Sequence, residues 1–346
     1  MLLSVRHQNV LAVVRRTLEE RALLSRPASA AGLASLPHAQ TILVACSGGA
    51  DSGGLLLALA RLAPELSLTL LAASVDHGLR ATAAQDVAVA AAQAAQLGVP
   101  FRPLAVEVPR RGSLQAAART ARYEALHALA RREGASLVAV GHTRDDQAET
   151  VLARVLRGGS IRGLGGITPR RADGVIRPLL DCAREDVRAF VLAEKLPFVD
   201  DPSNVDPRFL RARLRAEIVP RLRELDPQVV AHLAALADDA RAADRTVRGA
   251  AGRLLARAGV AQPEIAVLSR ASHAIFVSAL ARWAAGLTGH AASRAQIEAL
   301  AHLVRTSRGE VRLSAGWAAR VIAGRLVGES GHAPFQRRAG DSRNGA

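Results

Sequence analysis

Residues 41–56 read Thr-Ile-Leu-Val-Ala-Cys-Ser-Gly-Gly-Ala-Asp-Ser-Gly-Gly-Leu-Leu. A short apolar run ends at Cys46, a glycine turn follows over Ser47-Gly48-Gly49-Ala50-Asp51-Ser52, and an apolar segment able to wind as a helix comes next. Buried strand, glycine turn and helix together present backbone N–H groups and a helix N-terminus to a phosphate. Gly48 and Gly49 let the backbone bend and approach where a Cβ would obstruct it. Ser47 and Ser52 supply hydroxyls, and Asp51 supplies a carboxylate suited to a Mg²⁺ that bridges phosphate oxygens. No Gly-Lys-Ser/Thr follows, so the turn is not a Walker loop, and it is not GxGxxG.

Outward from this stretch, strand and helix alternate. Leu68–Val75 is too short for a lone helix and reads as a buried parallel strand, followed by Asp76-His77-Gly78-Leu79-Arg80. A helix is expected from Thr82 to Leu97, a strand over Phe101–Val108, a helix over Ser113–Arg132, a strand over Leu137–Val140 and a helix over Asp145–Leu156. Val175–Leu180 reads as a further strand and Ala183–Leu196 as a helix. Such alternation implies an α/β fold with a doubly wound parallel sheet, whose ligands lie at the carboxyl ends of the strands. The segments after the first, second and fourth strands then share one rim. Ahead of them, Val5–Leu24 has helical spacing and Ser25–Pro37 is a Pro/Ser/Ala/Gly connector. From Asp226 to about Val304 long Ala/Leu/Arg helices are expected, broken near Gly259–Pro263 and Gly286–Gly289. Glu310–Val327 alternates around Gly316 as a hairpin would. The organisation expected is a leading helix and connector (1–37), an α/β domain (38–225), a second, smaller all-α domain with a C-terminal hairpin (226–328) and a disordered tail (329–346).

The net charge is +15, from 46 Lys+Arg against 31 Asp+Glu, and Lys195 is the only lysine. An arginine excess favours a polyanionic partner, because guanidinium pairs bidentately with phosphate. No stretch of about 18 uncharged apolar residues marks a membrane span, and the leading segment, with Glu19 and Glu20, reads as an amphipathic helix and not a signal peptide. Cys46 and Cys182 lie outside any CxxC, which leaves a reducing, cytoplasmic setting as the default. Cys46 is read as a small buried residue at a strand end and not as a nucleophile.

Gly141-His142-Thr143-Arg144-Asp145-Asp146-Gln147-Ala148-Glu149-Thr150 follows the fourth strand and opens a helix. Asp145 and Glu149 are i, i+4 and share a face, and Asp146 and Glu149 at i, i+3 nearly do. Helix capping accounts for one or two acids at such a position; it does not call for His142 beside them on the rim of a phosphate loop. Arg119 and Arg122, one turn apart with Tyr123 beside them, are either solvated surface arginines or, for Arg119, a group aimed at a transferring phosphate.

The glycine turn resembles the SGGxDS pyrophosphate loop of the N-type ATP pyrophosphatases. With VDHGLR, ARTARY, GHTRDDQAET, RGGSIRGLGGI, RPLL, DPSN and RFLRARLR, residues 38–225 resemble the bacterial tRNA(Ile)-lysidine synthetase family, and the helical stretch after them fits that family's substrate-binding domain. Two features depart from the family's pattern. Ala212 stands where Asn is usual, and the sequence ends soon after the helical stretch, where longer members carry a further domain. The resemblance implies that ATP, as substrate with Mg²⁺, adenylates the wobble cytidine of a tRNA(Ile) with a CAU anticodon. Free L-lysine then attacks carbon 2 through its ε-amine and expels AMP. Ser47, Gly48, Gly49, Ala50, Asp51 and Ser52 would hold the phosphates, with Asp51 on Mg²⁺ and Arg119 offsetting charge at the α-phosphate. Asp145, Asp146, Glu149 and His142 are the set available to bind lysine as a cation and accept its proton. Arg157, Arg162, Arg208, Arg211, Arg213 and Arg215 would meet tRNA backbone. The resemblance also allows a homodimer. Two other readings stay open: another adenylating tRNA-modifying enzyme with this loop, or a non-catalytic RNA-binding protein that kept the fold. Thiolases with the loop generally use paired cysteines, which this sequence lacks.

Overall fold

In the computed structural model, which describes residues 2–24, 40–78, 83–109, 114–200 and 210–330, the glycine turn follows the central strand of a parallel sheet. The strands are β1 (Gln40–Ala45), β2 (Leu68–Asp76), β3 (Phe101–Ala105), β4 (Leu137–Ala139) and β5 (Val175–Ile176). They lie in the order β3-β2-β1-β4-β5, and every pairing is parallel. Successive side chains of a strand point to opposite faces, and the sequence fills both. Ile42, Val44, Leu70, Ala72, Leu137 and Ala139 enter one core. Leu43, Leu71, Ala73 and Val138 enter the other.

The first core is closed by α1 (Leu2–Glu20), α2 (Ala50–Leu62), α3 (Ala83–Gln96) and α7 (Arg184–Ala193), through Val14, Leu18, Leu56, Leu59, Ala90 and Phe190 among others. The second is closed by α4 (Leu114–Arg132), through Tyr123, Leu126 and Leu129. The doubly wound sheet is therefore as the alternation implied. β2 and β3 lie to one side of β1, β4 and β5 to the other. This makes the β1/β4 edge the topological switch point, where such sheets open a crevice at their carboxyl ends.

Several boundaries differ from the sequence reading. β3 stops at Ala105, short of Val108, and α7 stops at Ala193, short of Leu196. β5 is two residues long, because Arg177 N turns back to Pro169 O (3.0 Å) and a turn follows in place of a strand to Leu180. Inside the glycine-rich stretch 158–166 there is a short helix, α6 (Ile161–Leu164), capped by the Ser160 side chain, which accepts from Gly163 N. Of the arginine cluster, the described part winds as α8 (Leu210–Arg213), a π-helical turn (Leu214–Ile218) and α9 (Val219–Leu225). The connector Ser25–Pro37, Leu79-Arg80, Asp201–Asn204 and Arg208 lie outside the described residues, as does the tail after Ser330.

The chain divides into two units, Met1–Ala240 and Arg241–Ala346, with the boundary inside α10 (Val229–Ala258). The second unit packs α11 (Ile265–Leu268), α12 (His273–Thr288) and α13 (Arg294–Thr306) around Leu255, Phe276, Leu280, Trp283, Leu300 and Val304. The break expected at 286–289 falls at Gly289, a left-handed cap (φ 71°), while Gly286 stays helical. This unit is not all-α. It carries an antiparallel sheet of β6 (Val311–Arg312), β7 (Trp317–Ile322) and β8 (Arg325–Ser330). The hairpin turns at Ala323 (φ 48°) and Gly324 (φ 73°), both left-handed as a two-residue hairpin turn requires, and Gly316 lies between β6 and β7. Glu329 and Ser330, expected in the tail, belong to β8. Among the described residues, no helix is long and apolar enough to cross a membrane.

Candidate active site

The turn after β1 is held from within and from behind. Ser52 Oγ accepts from Ser47 N (3.0 Å), pairs with Ser47 Oγ (3.1 Å) and donates to Gly49 O (3.1 Å). Behind it, Val199 N (3.0 Å) and Gln93 Nε2 (3.3 Å) donate to Gly48 O, and Gln93 Nε2 also reaches Pro197 O (2.7 Å). Gly48 has φ +78°, and a Cβ there would lie 2.6 Å from the backbone oxygen of Asp86. Gly49 is the N-cap of α2 and offers no side-chain cap, so the first N–H groups of the helix are left for an anionic ligand. The β4 loop abuts this turn: a Cβ on Gly141 would lie 2.9 Å from Asp51 O. The two rims are thus one site.

α5 (Arg144–Leu156) brings in the acids. Asp146 does cap its helix, since Thr143 N (2.8 Å) and Thr143 Oγ1 (3.0 Å) donate to Oδ2. Its other oxygen, Oδ1, accepts from Arg184 (2.8 Å) and Arg215 (3.2 Å). Glu149, 2% exposed, accepts from Arg184 (3.1 Å) and on both oxygens from Arg215 (2.8 and 3.1 Å). Asp145 is engaged elsewhere: Oδ2 accepts from the backbone N of Arg184 (2.8 Å) and Oδ1 from Arg223 (2.7 Å). The acids that share both Arg184 and Arg215 are therefore the i, i+3 pair (Asp146 and Glu149), not the i, i+4 pair that helical geometry alone favours. The capping role of Asp146 sets this choice by turning it into the crevice.

Arg184 Nε also reaches Asp51 Oδ2 (3.2 Å). Burial pushes Asp51 up to about 6, against the pull of Arg184. For Asp146 burial acts in the same direction, but Arg184, His142, the Thr143 N–H and Arg215 outweigh it and hold the carboxyl below its usual range. Burial likewise opposes the charge on Arg184, yet Asp146, Asp51, Glu149 and Asp145 keep it protonated. His142 is pushed down to about 3 by burial, with Arg177, Arg119 and Arg211 adding to the shift against Asp146. Its Nδ1 accepts from Arg177 Nε (3.3 Å).

Arg119 is exposed and rests over the Tyr123 ring at 5.2 Å, with Arg122 at 5.7 Å and Arg171 at 4.9 Å. Arg211 reaches inward to Thr150 Oγ1 (3.2 Å) and lies 3.8 Å from both Asp146 and Glu149. Arg157, Arg162 and Arg213 are exposed, and Arg213 lies 3.8 Å from Glu217. The glycine-rich loop is docked on α5 through buried Gln147, which donates to Ile167 O (3.2 Å) and accepts from Ile167 N (2.7 Å). Cys46 and Cys182 are free and buried, and burial pushes both thiols up to about 12, which leaves neither as a nucleophile.

Two residues of the site, Arg184 and Arg223, escaped the sequence reading, and Arg177, quoted there within RPLL, was given no role. Arg184 opens a helix, where a cation opposes the helix dipole, and Arg177 interrupts an apolar run while being 3% exposed. Both were legible as misfits.

Among the described residues, no group of three or more His, Cys, Asp or Glu could hold a metal ion. A Mg²⁺ brought with a nucleotide needs less, one carboxylate plus phosphate oxygens and water. Asp51, in the first turn of α2 beside the uncapped helix start, fits that demand.

Comparison with known proteins places residues 24–222 in a PP-loop domain family. The chain is 42% identical over 305 residues to a tRNA(Ile)-lysidine synthase of Streptomyces coelicolor, covering 84% of this chain and 86% of that one. It is 40% identical over 270 residues to the tRNA(Ile)-lysidine synthase of Methylobacterium nodulans (75% and 78% covered). With that of Salinispora tropica it shares 47% over 208 residues (58% and 62%). Among solved structures, the U34-tRNA thiolase NcsA from Methanococcus maripaludis superposes with a TM-score of 0.55 at 16% identity, over 68% of this chain and 80% of that one, which speaks for the fold alone.

Proposed function

The chain belongs to the PP-loop family, among the tRNA(Ile)-lysidine synthases, and from that premise we propose how its own residues form lysidine on a tRNA(Ile) with a CAU anticodon. In the first step the carbon-2 oxygen of the wobble cytosine attacks the α-phosphorus of ATP. An oxygen–phosphorus bond forms, the α–β bridge breaks and pyrophosphate leaves. In the second, the ε-nitrogen of free lysine attacks carbon 2, the carbon–oxygen bond breaks and AMP leaves with the oxygen, while the amine passes a proton to the set formed by Asp145, Asp146, Glu149 and His142 or to water.

What carries this reading is the meeting of two rims. The Ser47–Ser52 turn, with its uncapped helix start, abuts the loop after β4, which carries His142 and leads into α5 with Asp146 and Glu149. Backbone N–H groups and the two hydroxyls suit the triphosphate. Asp51 would hold Mg²⁺, which when bound neutralises phosphate charge and so favours departure of pyrophosphate. Asp146 and Glu149 form an anionic pocket already occupied by guanidinium groups, so it suits a cationic amine. Arg119, on its aromatic perch, has the exposure to reach a phosphate. Arg157, Arg162 and Arg213 are exposed cations suited to tRNA backbone. The same reading puts the protein in the cytoplasm and allows a homodimer, which its mass in light scattering checks.

The deciding experiment incubates the protein with ATP, lysine and a tRNA(Ile) transcript carrying CAU, then examines the digested tRNA by mass spectrometry. Lysine added to the wobble cytidine only when both ATP and lysine are present is the expected result. AMP and pyrophosphate without that product would point to another acceptor. Tight tRNA binding without ATP turnover would point to the non-catalytic alternative.

A further inference from the structure

We propose that Arg177 is a positioning residue that locks the His142 ring in the tautomer carrying its proton on Nε2, so that His142 meets the substrate as a hydrogen-bond donor. The inference rests on the adenylation reading above and gives a role to the arginine of the RPLL motif, which that reading leaves without one.

The geometry is specific. Arg177 follows β5 and is 3% exposed. Its Nη1 donates to Thr168 O (2.5 Å), its Nε to His142 Nδ1 (3.3 Å), and the Tyr123 phenol is a third partner. The backbone is pinned as well, with Arg177 N donating to Pro169 O (3.0 Å) and Arg177 O accepting from Leu180 N (3.2 Å). A guanidinium has donors and no acceptor, so a ring nitrogen facing it must present a lone pair. In a neutral imidazole the single proton then sits on the other nitrogen, Nε2. Burial and three neighbouring arginines keep that ring neutral. His142 is thereby removed from the set of proton acceptors. A fixed N–H at this rim suits the oxygens that gather charge as the α-phosphate is transferred, because a donor already in place needs no reorganisation during the step.

The test uses the full-length protein with ¹⁵N-labelled histidine rings. Of its ten histidines, His142 is assigned by comparison with His142→Gln. The expected wild-type signal is an unprotonated Nδ1 and a protonated Nε2. An Nδ1–H ring overturns the proposal, and this measurement needs no variant of Arg177. In Arg177→Met the Nδ1–H form should gain population. Turnover for tRNA-dependent pyrophosphate release should fall about a hundredfold, with KM for ATP and tRNA within about threefold of wild type. Arg177→Lys, which keeps a donor, should regain about tenfold of that loss. A folded Arg177→Met protein with unchanged turnover, or with the loss confined to KM, overturns it. A wild type that releases no pyrophosphate with any tRNA overturns the adenylation reading, and the donor role with it, whatever the tautomer.

Discussion

Arg184 Nε lies 3.2 Å from Asp51 Oδ2, while the other nitrogens of the same guanidinium reach Asp146 (2.8 Å) and Glu149 (3.1 Å). One cation from α7 thus ties the helix after the glycine turn to the acidic helix after β4. Left alone, three carboxylates gathered at a sheet edge would repel one another and lose hydration. With Arg184 among them, the three carboxylates lie close together around one shared cation.

Replacing Arg184 by Ala should therefore cost more than a surface ion pair. Removing the cation leaves buried carboxylates with less compensation, a loss of about 3 kcal/mol at neutral pH. Protonation of the acids relieves the repulsion, so the loss should shrink at pH 4. Urea unfolding of the variant at both values checks this; an equal loss at both would mean that packing, not charge, is what Arg184 supplies.

Asp51 shows the opposite trade. Its folded-state carboxyl titrates at about 6, above the 3.8 of an unperturbed aspartate. The unfolded chain gives up this proton first, so the stability it contributes is present below pH 3.8 and lost as pH rises through about 6. Asp51→Asn abolishes that loss. Allowing for solvent around a partly exposed group, the variant should be more stable than wild type by about 1–2 kcal/mol at pH 8 and no more stable at pH 4. It should also lose adenylation while keeping tRNA affinity. Formation of AMP at the normal rate would refute the Mg²⁺ assignment.

Why the sheet could be read from the sequence and part of the site could not is a matter of range. β1, β2 and β4 declare themselves as short apolar runs because they are buried on both faces, so each residue reports its own environment. The Ser47–Ser52 turn and the acids of 145–149 are likewise local patterns. Arg177, Arg184 and Arg223 meet those acids and His142 only through the fold, 35 to 78 residues away in sequence. β5 was overextended because Arg177 was counted as a strand residue, when its backbone bonds to Pro169 and not to a neighbouring strand. The small C-terminal sheet was misregistered because Gly316 attracted the turn that Ala323 and Gly324 make. Arg211 in α8 and Arg215 in the π-helical turn also bond to groups of α5, contacts that a run of like residues does not announce.

Gly48→Ala tests how tightly the phosphate turn is drawn. The residue has φ +78°, and its new Cβ would meet the Asp86 backbone oxygen at 2.6 Å, an atom that no rotamer can move aside. A loss of about 1–3 kcal/mol is expected from strain alone. If the displaced backbone is the one that meets the nucleotide, KM for ATP should rise about tenfold or more. Loss of stability with an unaltered KM would place the nucleotide elsewhere.

Two neighbouring arginines should part company in their salt dependence. Arg213 is exposed and lies 3.8 Å from Glu217, a contact worth little in water. Arg215 is spent inward on Glu149 and Asp146. If Arg213 meets a tRNA phosphate, Arg213→Ala should weaken tRNA binding and reduce the slope of log K against log salt by about 0.7–0.9, leaving the unfolding midpoint unchanged. Arg215→Ala should barely alter the slope. Instead it should lower stability by about 1–3 kcal/mol by leaving Glu149 short of a partner. Filter binding at four salt concentrations and urea unfolding of both variants separate the two roles. Equal slopes for Arg213→Ala and wild type would remove that residue from the tRNA contact, and a reduced slope for Arg215→Ala would mean that the arginine leaves its carboxylates when tRNA arrives.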